Sequence, residues 1–260
     1  TKLRHGYLTA WVSLAFPAII GVDAAGTVAK LGPGVTRWKV GDRVMVMLPN
    51  NGAYAELAAA PASALVRVPG GLALDQAAAL PAIAQTGVQA VTKYLKPEAG
   101  ERVLINGATG STGRAAVYAA RKAGAIVVAG VRANRKVEAE ALGLETLVLD
   151  EKTAAAAAKS FDGAIDTVGG EAASALLPLI RDGGMLAAIA GVAEGTPADG
   201  RVRLETVHGT NDPILLGGLA EAARKGELVI PIAKKLPLAK AAEGHRLAEA
   251  SPGGKVILLA

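Results

Sequence analysis

Gly107, Gly110 and Gly113 recur at every third position in the run Val103-Leu104-Ile105-Asn106-Gly107-Ala108-Thr109-Gly110-Ser111-Thr112-Gly113. The apolar start reads as a buried strand, and Ser111 and Thr112 read as the opening of a helix. Glycine lets the backbone turn sharply and approach a bulky anion, while free N–H groups and the dipole at a helix N-terminus attract one. The chemistry on offer is the cradling of a pyrophosphate by the main chain of Gly107, Ala108, Thr109, Gly110, Ser111, Thr112 and Gly113. A glycine-rich turn with no ligand is the plain alternative, and the flanking pattern argues against it.

The elements that must position such a turn follow directly. The helix carries Ala115, Ala116, Ala119 and Ala120, a small-residue face suited to close contact with a sheet. Lys122-Ala123-Gly124 ends it with a cation in the last turn and a glycine beyond. Ile126-Val127-Val128-Ala129-Gly130 makes a second apolar strand and completes a βαβ unit.

The end of that second strand bears on which dinucleotide is bound. An NAD-preferring site places Asp or Glu there, on the ribose 2′-hydroxyl. Here Val131-Arg132-Ala133-Asn134-Arg135-Lys136 has no carboxylate before Glu138. Arg132, Arg135 and Lys136 would pair with the 2′-phosphate of NADP(H), which a carboxylate would repel. A solvated basic loop opening the next helix is the alternative.

Further strands and helices alternate downstream. Thr146 to Leu149 reads as a strand, 154–158 as a short helix, 161–170 as a strand ending in a polar glycine turn, and 171–181 as a helix. Gly183-Gly184 and a strand over 185–190 follow. Such alternation implies a doubly wound parallel sheet of the Rossmann type, with its ligand at the C-terminal strand ends. Thr167, Val168, Gly169, Ala190 and Gly191 sit at two such ends, as cofactor contacts or as tight turns. Before residue 74 the texture differs: short β-rich runs punctuated by Gly, Pro and Asp suggest a small barrel-like domain, continued by 53–57 and 65–69. From 74 to 93 the pattern is helical, with Pro81 and Gly87 marking breaks.

Composition narrows the class. The 260 residues are 51% hydrophobic, 20% charged and only 3% aromatic, which describes a globular protein with an aliphatic core. The net charge of +5 favours anionic ligands, but Lys and Arg are scattered and no aromatic-interleaved basic stripe argues for nucleic acid. With no cysteine, disulfides and thiolate zinc sites are excluded, and His5, His208 and His245 lack ligand spacing. Lys2 and Arg4 precede an apolar stretch over 8–20 that faintly resembles a secretory leader. Pro17 interrupts it, so a cytoplasmic protein with no membrane partner is expected.

Together these stretches resemble the zinc-free quinone oxidoreductase branch of the medium-chain dehydrogenase/reductase superfamily. The likeness runs in family order through Gly21-Val22-Asp23-Ala24-Ala25-Gly26, Gly41-Asp42-Arg43-Val44, the glycine turn, 161–170, Leu236-Pro237-Leu238 with Ala242-Glu243-Gly244-His245, and Gly253-Gly254-Lys255-Val256-Ile257-Leu258-Leu259. Zinc-dependent relatives carry histidine where Val22 stands. Their cysteine-bearing lobe would fall between Val44 and Tyr54, where only nine residues intervene.

The resemblance implies a GroES-like β-rich catalytic domain over 1–87 and 228–260, N-terminally incomplete, and a Rossmann domain over 88–227. It implies hydride transfer from NADP(H) to a quinone or an α,β-unsaturated carbonyl, without metal. Tyr7 is then a proton donor or substrate contact, Thr86 lies near the nicotinamide, and Asn50, beside Asn51, contacts the cofactor. A surface role for Tyr7 and an ordinary turn at Asn50 are the alternatives. The resemblance also implies a homodimer paired through a sheet edge near 202–207. An enoyl-thioester reductase and a non-catalytic NADPH-binding scaffold remain as other readings.

Overall fold

The computed structural model describes residues 4, 15, 17–196, 200–250 and 253–260. In chain order it contains β1 (Asp23–Thr27), β2 (Arg43–Met47), β3 (Val66–Arg67), α1 (Leu74–Ala78) and α2 (Pro81–Gln89). Then come β4 (Arg102–Asn106), α3 (Ser111–Lys122), β5 (Ile126–Val131), α4 (Lys136–Ala141), β6 (Glu145–Val148) and α5 (Glu151–Ala156). β7 (Phe161–Asp166), α6 (Glu171–Ser174), β8 (Ile180–Ala188) and β9 (Arg203–Thr206) follow. The chain closes with α7 (Pro213–Arg224), β10 (Ile232–Pro237), α8 (Ala241–Glu249) and β11 (Lys255–Leu259).

The chain divides into two compact units, Thr1–Ala82 with Asn211–Ala260, and Ile83–Thr210. The sequence reading draws the second boundary at 227/228, whereas here 211–227 group with the first unit, where α7 packs on β3. Buried Leu216, Leu219, Ala220 and Ala222 give α7 its apolar face.

In the first unit β1, β2 and β3 form an antiparallel sheet, and β10 and β11 a parallel pair. Residues 53–57, expected to continue the β structure, are a bend rather than a strand, held by Ala53 and Tyr54 N–H bonds to the Gly21 and Ile20 carbonyls. Asp23 is structural, accepting from the Ala82 N–H at 2.8 Å and pairing with Lys255 at 3.5 Å. Nearby, the Tyr54 hydroxyl and His245 Nε2 lie 3.1 Å apart. Burial raises the Tyr54 pKa and lowers that of His245.

The second unit is built on a six-stranded parallel sheet in the order β6-β5-β4-β7-β8-β9. This is the doubly wound arrangement read from the alternation, and its order reverses between β4 and β7. Ligands bind at such a switch point, outside the C-terminal strand ends. Ala115, Ala116 and Ala120 of α3 are fully buried, so their methyl-sized side chains admit the helix close to the sheet.

Two helical expectations need correction. The helix placed over 171–181 stops at Ser174, and a single 3₁₀ turn over Leu177–Leu179 carries the chain into β8. Pro178 has no N–H to continue a helix, and Leu176, Leu179 and Ile180 are wholly buried in one core cluster with the strand residues Leu104, Phe161 and Leu186. Gly87 does not break the helix. It lies within α2, where an added Cβ would meet Ala115 Cβ at 2.9 Å and Ala116 N at 3.0 Å, so it is a close-packing position against α3. Pro81 opens α2 as its first residue, and beyond Gln89 the segment to Leu95 winds as a π-helix.

Candidate cofactor site

The turn between β4 and α3 is shaped by what its glycines exclude. Gly107 has φ +77°, and its N–H donates to the Gly130 carbonyl at 3.1 Å, joining it to the neighbouring end of β5. The Gly110 N–H folds back to the Gly107 carbonyl at 2.9 Å. A Cβ on Gly113 would overlap that same carbonyl and approach Ala108 Cα to 2.8 Å. A side chain at 113 would therefore force the turn open. Gly110 is the N-cap of the twelve-residue α3, with extended backbone (φ −72°, ψ 163°) and no side chain capping the first turn. Main-chain donors of Ser111, Thr112 and Gly113 thus open a helix whose positive end could hold a pyrophosphate.

The ends of β7 and β8 are fastened to this turn. Thr167 Oγ1 donates to the Asn106 carbonyl at 2.9 Å, and a Cβ on Gly107 would press on Thr167 and on Val168 Cγ2. Asp166 is wholly buried and accepts from Asn106 Nδ2 at 2.7 Å, Val168 N–H at 3.1 Å and Gly169 N–H at 2.7 Å. Its carboxylate organises the loop rather than facing a ligand. Gly169, with φ +93°, sits against Ala190, and the Gly170 N–H bonds the Gly191 carbonyl at 3.1 Å. The structure therefore brings Gly107 to Gly113, Thr167, Val168, Gly169, Ala190 and Gly191 to the C-terminal ends of three adjacent strands. Val168 is 55% exposed there, an apolar surface left open beside the turn.

The basic loop after β5 is less uniform than its sequence. Arg135 is paired with Glu138 at 2.7 Å, and Lys136 with Glu140 at 3.6 Å. Arg132 is exposed and has no ion-pair partner among the described residues. A second guanidinium reaches the same carboxylate: Arg114 of α3 pairs with Glu138 at 3.1 Å and donates from Nε to the Thr109 carbonyl at 2.9 Å. Sequence reasoning missed Arg114 and Glu138 as a pair, because they lie 24 positions apart on different helices with no pattern linking them.

The other expected residues come from other segments of the chain. Thr86, half-buried on α2, packs against the backbone of Gly209. Asn50 is exposed in the turn after β2, in the first unit, and Asn51 beside it has φ +64°. Tyr7 lies outside the described residues. Among the described residues no three His, Asp or Glu side chains gather as metal ligands, and no helix is long and apolar enough to cross a membrane.

Comparison with known proteins agrees with this architecture. Residues 1–70 match the alcohol dehydrogenase GroES-like domain, and residues 142–258 the zinc-binding dehydrogenase family. The chain is 31% identical over 256 residues to 2-haloacrylate reductase from Burkholderia sp, covering 88% of this chain and 77% of that protein. It is 41% identical over 130 residues to the pikromycin polyketide synthase component PikAII of Streptomyces venezuelae, covering 50% of this chain but 3% of that synthase. Among solved structures, an NAD-dependent alcohol dehydrogenase superposes with a TM-score of 0.87 at 25% identity, over 100% of this chain and 87% of that one.

Proposed function

The chain belongs to the medium-chain dehydrogenase/reductase superfamily, as a zinc-independent member resembling quinone and enoyl reductases, and from that premise we propose that it reduces a quinone or an α,β-unsaturated carbonyl at the expense of NADPH. The observation that carries the reading is the glycine turn, whose Cβ positions are closed by backbone at Gly110 and Gly113 and by the Thr167 and Val168 side chains at Gly107, and whose helix N-terminus lacks a side-chain cap.

The main chain of 107–113 binds the pyrophosphate. Arg132 takes the ribose 2′-phosphate, assisted by Arg135 and Lys136, and this supplies the preference for NADPH over NADH. Thr167, Val168, Gly169, Ala190 and Gly191 line the path toward the nicotinamide, with Asn50 a further contact and Thr86 beside the ring. The bound nicotinamide supplies the hydride. The protein's part is to hold acceptor and cofactor face to face and to donate a hydrogen bond or proton where negative charge develops on the acceptor oxygen. By the family likeness, the Tyr7 hydroxyl is that donor.

The test is NADPH consumption by the purified chain with phenanthrenequinone and a panel of enones, in parallel with NADH. Turnover with NADPH well above NADH supports the reading. Tight NADPH binding with no turnover across the panel would instead leave a non-catalytic NADPH-binding protein. The identity to a polyketide synthase component favours a second reading, an enoyl-thioester reductase, which crotonyl-CoA in the same assay separates from the first. We place the reaction in the cytoplasm and the chain in a homodimer paired along β9, the sheet-edge strand on which Leu204 is 41% exposed.

A further inference from the structure

A carboxylate beside a 2′-phosphate site is at first sight a poor placement, since like charges repel. Glu138 occupies that position, yet both of its oxygens are engaged by guanidinium groups, Oε1 by Arg114 and Oε2 by Arg135. Arg135 and Glu138 alone would be an ordinary pair within one short helical stretch, worth little to the fold. Arg114 changes its meaning. Its side chain is only 14% exposed, and its Nε is fixed to the Thr109 carbonyl, inside the glycine turn itself. An unbroken chain therefore runs from the Thr109 carbonyl through Arg114 and Glu138 to Arg135. It connects the loop at the end of β4 to the loop at the end of β5.

We propose that Glu138 is a positioning residue that sets the span between the glycine turn and the basic loop, so that one ligand bearing a pyrophosphate and a ribose 2′-phosphate meets both ends together. The proposal rests on the reading of Arg132 as the 2′-phosphate contact. A ligand gripped at two points gains affinity when the points are held at the matching separation, and loses it when one point drifts. Glu138 also keeps Arg135 drawn toward α4, which leaves Arg132 as the cation in this loop with no ion-pair partner among the described residues.

Calorimetric binding of three probes tests this: NADP+, NAD+ and adenosine 2′-monophosphate, which carries the 2′-phosphate but no pyrophosphate. Arg132→Ala should weaken NADP+ and adenosine 2′-monophosphate alike and spare NAD+. If it does not discriminate, the basic-loop reading fails and takes this inference with it.

With that control in hand, Glu138→Gln should weaken NADP+ by about fivefold, the scale of a lost ion-pair link, while adenosine 2′-monophosphate changes by less than about twofold. Arg114→Gln, on a different helix, should show the same split, and the double variant should be no worse than either single one. Equal weakening of both probes would mean that the network merely keeps the loop folded, and the proposal falls. Tighter NADP+ binding by Glu138→Gln would make Glu138 an electrostatic opponent of the phosphate, which also overturns it.

Discussion

The Asn106 amide donates to Asp166 Oδ1 at 2.7 Å, joining the ends of β4 and β7, the two strands between which the sheet reverses its order. Asn106 is 5% exposed and Asp166 not at all. The second carboxylate oxygen accepts the N–H groups of Val168 and Gly169, so one buried side chain supports the whole loop that presses on the glycine turn. Such a group is tolerated in a core because its acceptors are met.

Asp166→Ala should therefore cost about 2–4 kcal/mol, because it strands the Asn106 amide and two backbone donors in a dry environment. Urea denaturation gives the loss directly. A change below about 0.5 kcal/mol would show that water replaces the carboxylate at little cost.

Two glycine-to-alanine changes in helices should move in opposite directions. Gly218 on α7 has nothing within 4 Å of an added Cβ, so Gly218→Ala should stabilise by up to about 1 kcal/mol. Gly113→Ala drives its Cβ into the Gly107 carbonyl, so it should destabilise the turn and lower NADPH affinity at least about tenfold. Thermal unfolding and calorimetry on both variants check the contrast, and stabilisation by Gly113→Ala with unchanged NADPH binding would refute the crowded-turn account.

Acid should act through Asp42. Its carboxylate has only 5% of its side chain exposed, and it accepts two hydrogen bonds from Arg67, at 3.0 and 3.2 Å, and one from the Lys39 N–H. The Arg67 bonds, with the Lys39 donor next, hold its pKa below the usual carboxylate value. The folded state then binds fewer protons than the unfolded one, so this contribution is complete above the unfolded pKa and is lost as pH falls through the folded one. Asp42→Asn should lower the unfolding temperature at neutral pH and flatten its decline below about pH 4, so the two curves converge in acid. Parallel curves throughout would assign the acid loss elsewhere.

Salt should erode the cofactor preference. Arg132 is exposed, and its attraction for a 2′-phosphate is screened as the Debye length shrinks from about 10 Å at 0.1 M to about 3 Å at 1 M. The ratio of NADPH to NADH affinity should fall across that range, read by fluorescence titration. A salt-independent ratio would point to shape rather than charge as the selector.

Much of the nucleotide fold was legible because its signals are local. Glycine spacing, a small-residue helix face and short apolar strands each reflect what a few neighbouring residues permit, and they located β4, α3 and β5 without reference to the rest of the chain. Over 171–181 the local helical pattern is outweighed by burial of Leu176, Leu179 and Ile180 in the core they share with Leu104, Phe161 and Leu186. Gly87 looked like a break for the same reason, since its partner surface on α3 belongs to a distant stretch of sequence.

By itself the sequence determined the glycine turn, the alternation that yields a parallel sheet, the lack of thiolate ligands and a cluster of cations after β5. These depend on residue type and short-range spacing. Only the tertiary structure decided which of those cations are already paired. It places Glu138 between Arg114 and Arg135, leaves Arg132 without an ion-pair partner among the described residues, and sets Asp166 under the loop as an acceptor rather than a reactant. Charge pairing and burial depend on which strands and helices lie side by side, and parallel strands bring together residues that no sequence window contains.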